Sequence, residues 1–343
     1  MSLAVLFRLA TIVLLVQIAC FAQANERAKT PCAACHVQGR TQPSTSMAQA
    51  AETPQESKIL SSLPLLTFKD GPFSYRIERR DNRSIYSVSD GKQSVEIPVG
   101  WAVGAGRVGQ TYVLEKDGEF YESRVSYFSK INGLDITIGH QDTQPTTLMQ
   151  AVGKRIGASG VANCLACHAS NAVDDGKLAR DAMQPGVRCV RCHTAATKHL
   201  AGLAEGELHL NEMKKLSAMP PEDVLTFCGQ CHRTANDVTT NANDVNTVRF
   251  APYRLSLSKC YDLEDRRITC VACHDPHEEV ATDQSHYDSK CLACHAGGKA
   301  NAKTCPVAAK NCASCHMPQV EVPGSHHLFA DHWIRVANRG KAQ

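Results

Sequence analysis

The chain has 343 residues, 21% charged and 43% hydrophobic, which excludes a disordered protein and a polytopic membrane protein. Its formal net charge is only +3, and no Lys/Arg run is present, which excludes a nucleic-acid binder. The outlier is cysteine: 17 Cys stand beside 15 His. Such a thiol load calls for an oxidising compartment or for a cofactor that consumes the sulfurs.

Arg8 precedes an apolar run, Leu9 to Ala19, and Ala22-Gln23-Ala24 fits the small-x-small cleavage rule. Residues 1–24 are therefore expected to be a secretory signal peptide, with Asn25 as the mature N-terminus. The run is short for a membrane span, though an uncleaved anchor is the alternative. A lipoprotein reading through Cys20 is weaker, because Gln17 stands where such signals want Leu. Cleavage removes Cys20 and Arg8, leaving 16 cysteines and an apo charge of +2. Nothing later is apolar enough to cross a bilayer, so the mature protein is expected to be soluble and periplasmic or extracellular.

Residues 25–64 hold Cys32-Ala-Ala-Cys35-His36 and then a linker rich in Gln, Ser, Thr, Ala and Pro. Residues 65–150 read as a small antiparallel β region. Phe73 to Ile77, Ser84 to Val88, Ser94 to Ile97, Gln110 to Leu114 and Phe120 to Val125 alternate apolar and polar residues. Asp90-Gly91 and Asp117-Gly118 between such runs are hairpin signals. Gly104-Ala-Gly106-Arg-Val-Gly109 formally matches a dinucleotide fingerprint, but a strand rather than a helix is expected after it, so a tight bend is the better reading.

Residues 151–343 carry six further motifs: Cys164-Leu-Ala-Cys167-His168, Cys189-Val-Arg-Cys192-His193, Cys228-Gly-Gln-Cys231-His232, Cys270-Val-Ala-Cys273-His274, Cys291-Leu-Ala-Cys294-His295 and Cys312-Ala-Ser-Cys315-His316. Chance would supply roughly 0.04 such motifs at this composition. Two cysteines three apart share one face of a helical turn, so both sulfurs reach the vinyl groups of one porphyrin. The following His then aims at its iron. Seven covalent haems c, each with that His as proximal ligand, are expected. A lone Cys-x-x-Cys would fit zinc or redox chemistry, but here every copy ends in His.

From residue 164 to 316 roughly 25 residues serve each motif, too few for an ordinary core. The expected fold is therefore mainly α and loop, with haems as the core, plus the small β region before this half. Seven haems bring 14 propionate charges, so the holoprotein is expected to be acidic. Cys260 and Cys305 are left over, and in an oxidising compartment a disulfide between them is expected; two separately buried thiols are the alternative.

Eight His remain for the second axial position: His140, His199, His209, His277, His286, His326, His327 and His332. His140 follows the β region at a turn. His199 and His277 each stand a few residues past a proximal His and can reach a neighbouring haem. Adjacent side chains diverge, so one of His326 and His327 is expected to ligate, with His327 the choice; His332 closes the set. His209 and His286 are weaker candidates, and Met219 and Met317 are the thioether alternatives.

The chain resembles the cytochrome c-554 type multihaem proteins, a group related to hydroxylamine oxidoreductase and the multihaem nitrite reductases. The resemblance rests on Cys189-Val-Arg-Cys-His-Thr-Ala-Ala-Thr-Lys-His199, Arg249-Phe-Ala-Pro-Tyr-Arg-Leu255, Ser258-Lys-Cys260, Cys270-Val-Ala-Cys-His-Asp-Pro-His277, Cys312-Ala-Ser-Cys-His-Met-Pro318 and His327-Leu-Phe-Ala-Asp-His332. It implies distal roles for His140, His199, His277 and a C-terminal His. The c-554 type has four haems rather than seven. The segment after His193 lacks the usual Gly-Pro-Gly, and no Cys-x-x-Cys-Lys motif is present.

Two functions follow. One is an electron relay between a donor and an acceptor protein, with a membrane-associated redox complex as a candidate partner. The other is an oxidoreductase acting on a small nitrogen or sulfur species at one five-coordinate haem. In either case the secreted protein is expected to show a Soret band and a mass seven haems above its polypeptide. A colourless protein of polypeptide mass alone would refute the reading.

Overall fold

The computed structural model describes residues 31–206, 215–296 and 305–336. The expected signal peptide and His209 lie outside the described residues. Ten strands form one antiparallel sheet: β1 (Ala51–Glu52), β2 (Leu65–Asp70), β3 (Phe73–Arg80), β4 (Arg83–Ser89), β5 (Ser94–Val103), β6 (Gly109–Lys116), β7 (Glu119–Ser123), β8 (Val125–Phe128), β9 (Gly133–Ile136) and β10 (Gly153–Arg155). The order is β10-β7-β6-β5-β4-β3-β2, with β1 added to β5 and the β8–β9 ribbon added to β6. Alternation of side chains makes each strand two-faced. The Asp117-Gly118 turn between β6 and β7 has φ of +52° and +79°, the left-handed pair a two-residue hairpin needs. A register shift between Val99 and Trp101 breaks the β5–β6 ladder, and such bulges bend a sheet. β6 also forks, pairing first with β8 and then with β7.

The curled inner face holds a side-chain core. Tyr75 and Ile77, Tyr86 and Val88, Ile97 and Val99, and Tyr112 and Leu114 alternate inward and meet Val125 and Leu134. Short helices close the edge. After α1 (Gln38–Thr41), α2 (Lys58–Ser62) supplies Leu60, and α3 (Leu148–Val152) supplies Ala151 and Val152. Each buried Leu, Ile or Val side chain contributes about 1.5–3 kcal/mol. On the outer face Val113 and Phe120 receive Val161 and Leu165 of α4 (Gly157–His168). The spacing of four puts those two residues on one stripe of the helix. The sheet thus holds the helix whose last turn is the second motif.

The expectation of a mainly α and loop fold with haems as its core is overturned. The described residues are 34% helical and 25% strand, and their largest feature is a ten-stranded half-barrel. The physical reason is local. Scarcity of apolar residues applies to the motif-dense half, whereas the alternating strands carry enough Tyr, Val, Ile and Leu to pack on themselves.

Beyond α4 the elements are short: α5 (Cys189–Cys192), α6 (Ala196–Glu205), α7 (Pro221–His232), α8 (Ala251–Ser256), α9 (Cys270–Cys273), α10 (Gln284–His295) and α11 (Cys312–His316). No helix among the described residues is long and apolar enough to cross a membrane.

Gly186 is the tightest point between the first motif's linker and the third motif. Its φ is +79° and a Cβ there would lie 1.8 Å from the Ala48 carbonyl oxygen. Around it Gln42 Nε2 donates to Val187 O at 2.7 Å and Ser170 Oγ donates to Gly186 O at 3.1 Å. Gly186→Ala is expected to cost about 2 kcal/mol or more through backbone strain and the clash. Thermal unfolding should show a midpoint several degrees lower.

Candidate functional site

Each motif folds as a helical turn. In the first, third and fifth motifs the His amide donates to the carbonyl of the first Cys: His36 to Cys32 at 2.8 Å, His193 to Cys189 at 2.8 Å and His274 to Cys270 at 3.0 Å. In the second, fourth and sixth motifs the turn is the last of α4, α7 and α10; in the seventh it is α11 itself. This puts Cys32/Cys35, Cys164/Cys167, Cys189/Cys192, Cys228/Cys231, Cys270/Cys273, Cys291/Cys294 and Cys312/Cys315 each three apart on a turn that ends in His.

The motifs touch one another. Arg191 Nη2, inside the third, donates to Ala166 O, inside the second, at 3.3 Å. Cys167 Sγ lies 3.5 Å from Gln230 O, inside the fourth. Helix α7 packs on α4 and α9, α9 on α10, and α10 on α11. The buried Asp288 of α10 accepts from the amides of Asn311 at 2.6 Å and Cys312 at 2.7 Å, which seats the seventh motif on the sixth. Burial pushes the Cys32 thiol up, with Cys189 beside it. The Cys228 thiol is pushed up by its contact with Cys270 and then by burial.

No disulfide is found among the described residues, so the expected Cys260–Cys305 bridge is not shown. Burial, with Cys291 and Cys294 nearby, pushes the Cys260 thiol up. A protonated thiol is a poor partner in exchange.

Three pairs of imidazoles stand at a common spacing. Ring centroids are 6.3 Å apart for His36 and His199, 6.0 Å for His193 and His277, and 6.2 Å for His274 and His332. Two metal–nitrogen bonds of about 2 Å each, with the ring radii added, come to about 6 Å. The residues present therefore fit an iron held between two imidazoles. The buried Nδ1 of His199 has no hydrogen-bond partner among the described residues. A metal ligand must also be a neutral imidazole. Burial, then the neighbouring His332, His286 and His232, push His274 down to about 4. His193 is pushed down by burial and then by His277 and His36. His168, His232 and His332 are pushed down first by burial.

Several rings are oriented through Nδ1, which leaves Nε2 without its proton. His168 Nδ1–H donates to Ala50 O at 3.0 Å, His316 Nδ1–H to Arg335 O at 2.9 Å, and His332 Nδ1–H to Ala330 O at 3.0 Å. His277 Nδ1–H donates to Asp275 Oδ1 at 2.9 Å.

Other candidates are placed differently. The buried His140 directs Nε2 to Glu122 Oε2 at 2.9 Å, and Glu122 in turn lies near Cys164. His326 directs Nε2 to Asp135 Oδ2 at 2.7 Å, with its ring against Phe128. His327 packs on Phe329 at 4.9 Å, and burial pushes it down. His286 lies against Tyr287, 3.5 Å from Cys273 O.

His332 is delivered by a buried clamp that the sequence reading assigned no role. Arg254 Nε and Nη2 meet Asp331 Oδ1 and Oδ2 at 2.8 and 2.6 Å, with side chains 4% and 0% exposed. Arg335 adds a bond to Asp331 at 2.7 Å, and Ser258 Oγ donates to His332 O at 3.0 Å. Trp333 lies between the guanidinium groups of Arg254 and Arg335, at 5.2 and 4.6 Å. The sequence signal was Arg254, Ser258 and Asp331 within three of the segments that carry the resemblance.

Helical Cys-x-x-Cys-His turns packed in series, with imidazole pairs spaced for one iron, fit what a c-type cytochrome requires. The family described as cytochrome c554 and c-prime matches residues 136–194, a stretch that contains His140 and the second and third motifs. That match, over part of the chain, supports a likeness to the multihaem cytochromes c, electron carriers with covalent haem c. Searches of curated proteins and of solved structures gave no match.

Removing the clamp's carboxylate leaves the Arg254 cation buried and uncompensated. Asp331→Ala is expected to cost about 3–5 kcal/mol. Denaturant unfolding of the holoprotein measures this as a lower midpoint.

Proposed function

We propose that the chain is a periplasmic or extracellular heptahaem c-type cytochrome that relays electrons between a donor and an acceptor protein. The observation that carries this reading is the set of three imidazole pairs about 6 Å apart, each joining a motif histidine to one from elsewhere in the chain. In this reading the seven cysteine pairs form thioethers. His36, His168, His193, His232, His274, His295 and His316 are the proximal ligands, and His199, His277 and His332 sit opposite three of them. When bound, haem c supplies a one-electron iron couple. The chain's own part is to orient His168, His277, His316 and His332 through Nδ1 bonds, to keep His168, His193, His232, His274 and His332 neutral by burial, and to seat each motif on the next. The reading includes the signal peptide expected at residues 1–24, which would send the chain to the compartment where c-type haem is attached.

A second reading is favoured by one observation. His140 and His326 both have Nε2 engaged by a carboxylate, the nitrogen a distal ligand offers. That leaves room for one five-coordinate iron and for chemistry on a small nitrogen or sulfur species.

The test is a haem count by pyridine haemochrome with a low-temperature EPR spectrum of the oxidised protein. Seven haems, wholly low-spin, that bind neither cyanide nor nitrite are expected for the relay. A count other than seven overturns the stoichiometry. A substantial high-spin ferric fraction that binds these ligands overturns the pure relay in favour of the second reading.

A further inference from the structure

The three imidazole pairs share a spacing but differ at one atom. Beyond the motif, His199, His277 and His332 each present a different surrounding to Nδ1. His277 Nδ1–H donates to a carboxylate, Asp275 Oδ1, at 2.9 Å. His332 Nδ1–H donates to a neutral carbonyl, Ala330 O, at 3.0 Å. His199 Nδ1 is buried and has no hydrogen-bond partner among the described residues.

The carboxylate is held in place by local sequence. The same Asp275 Oδ1 accepts from the His277 amide at 2.9 Å, so Asp-Pro-His closes as an Asx turn. Aspartate two residues before the imidazole therefore has one orientation, with its oxygen against both the backbone and the ring of His277.

The strength of an imidazole as a ligand depends on how far its Nδ1 proton is drawn away. A carboxylate draws it most, a carbonyl less, and an absent acceptor not at all. A more basic ligand favours the ferric over the ferrous state and lowers the potential.

We infer that Asp275 is a positioning residue that makes the His193/His277 site the lowest in potential of the three, with His274/His332 above it and His36/His199 highest. The inference rests on the ligation proposed above. It implies that electrons held by these three sites settle first at His36/His199 and last at His193/His277.

The sites are distinguishable by spectroscopy. The His193 and His277 planes are 11° apart, whereas those of the other pairs are 40° and 54° apart. Low-spin ferric EPR signals depend on that angle. The experiment is a potentiometric titration of the holoprotein followed by low-temperature EPR. The near-parallel signal is expected to be the last of the three lost on reduction; its loss first overturns the ranking.

Two variants separate the possible failures. His277→Ala should remove the near-parallel signal and create a high-spin ferric one. If it does neither, the ligation itself is wrong. Asp275→Asn, at an exposed side chain, should keep the low-spin signal but shift its ferric/ferrous ratio at least tenfold toward ferrous, about 59 mV upward for one electron. Asp275→Glu should restore most of the low midpoint. A midpoint unmoved in Asp275→Asn, with His277→Ala behaving as stated, overturns the role of Asp275 and leaves the ligation standing.

Discussion

An imidazole that follows the second cysteine of a one-turn helix has its direction set by that turn. The hydrogen bond from the His36 amide to Cys32 O, repeated at His193 and His274, leaves no freedom to choose where the ring points. The partner imidazole is under no such restraint, and tertiary structure has to supply it. Much of the second half of the chain can be understood as solutions to that delivery problem. His199 rides on α6, directly after the third motif, and reaches His36 of the first. His277 is placed by an Asx turn beyond α9. His332 is carried on an extended tail that needs the buried Arg254–Asp331 pair to hold it. The stiffer the local sequence, the smaller the external scaffold required.

The half-barrel makes the same point from the other side. It has a core of its own, so it needs no cofactor to be a folded body. Its outer face then fixes α4 through Val161 and Leu165 against Val113 and Phe120. The second motif is thereby anchored to a rigid sheet, and Arg191 and Cys167 tie the third and fourth motifs to the second. Short helices with few apolar residues of their own gain order from a neighbour that already has it.

What could be read from the sequence divides along the same line. Alternating strands such as Phe73 to Ile77 and turns such as Asp117-Gly118 are local signals, and the strands run where those signals stand. The size and curl of the sheet were not legible, because they come from pairing. β1 and β10 are two- and three-residue strands that exist only through β5 and β7. The bulge at Val99 and the fork in β6 leave no periodic mark. The cysteine motifs were legible because their chemistry is local. The imidazole pairs were legible only as a list of spare histidines, since which ring meets which is a long-range fact. Asp275 stood in plain view in Cys-His-Asp-Pro-His and could have been found as a turn former. Glu122 and Asp135, which hold His140 and His326, could not, because nothing near them in sequence points to a histidine.

Charge explains why the paired rings tolerate one another. Two protonated imidazoles 6 Å apart, with water largely excluded, would repel strongly. The structure avoids this by burial: His274, with His332, His286 and His232 around it, is held down to about 4, far below the ordinary histidine range. At neutral pH such rings are uncharged and each keeps a lone pair on one nitrogen. Where Nδ1–H is spent on a carbonyl, as in His168, His316 and His332, that lone pair belongs to Nε2. At His168 and His332 burial and the backbone acceptor thus act on different properties of the same ring, one removing its charge and the other choosing its tautomer. A site built this way is ready for a metal before the metal arrives, and the chain needs no acidic side chain at most of these rings to get there. Asp275 is therefore more than the geometry of its ring requires: a carbonyl is enough to orient His332, and a carboxylate at His277 adds basicity to orientation.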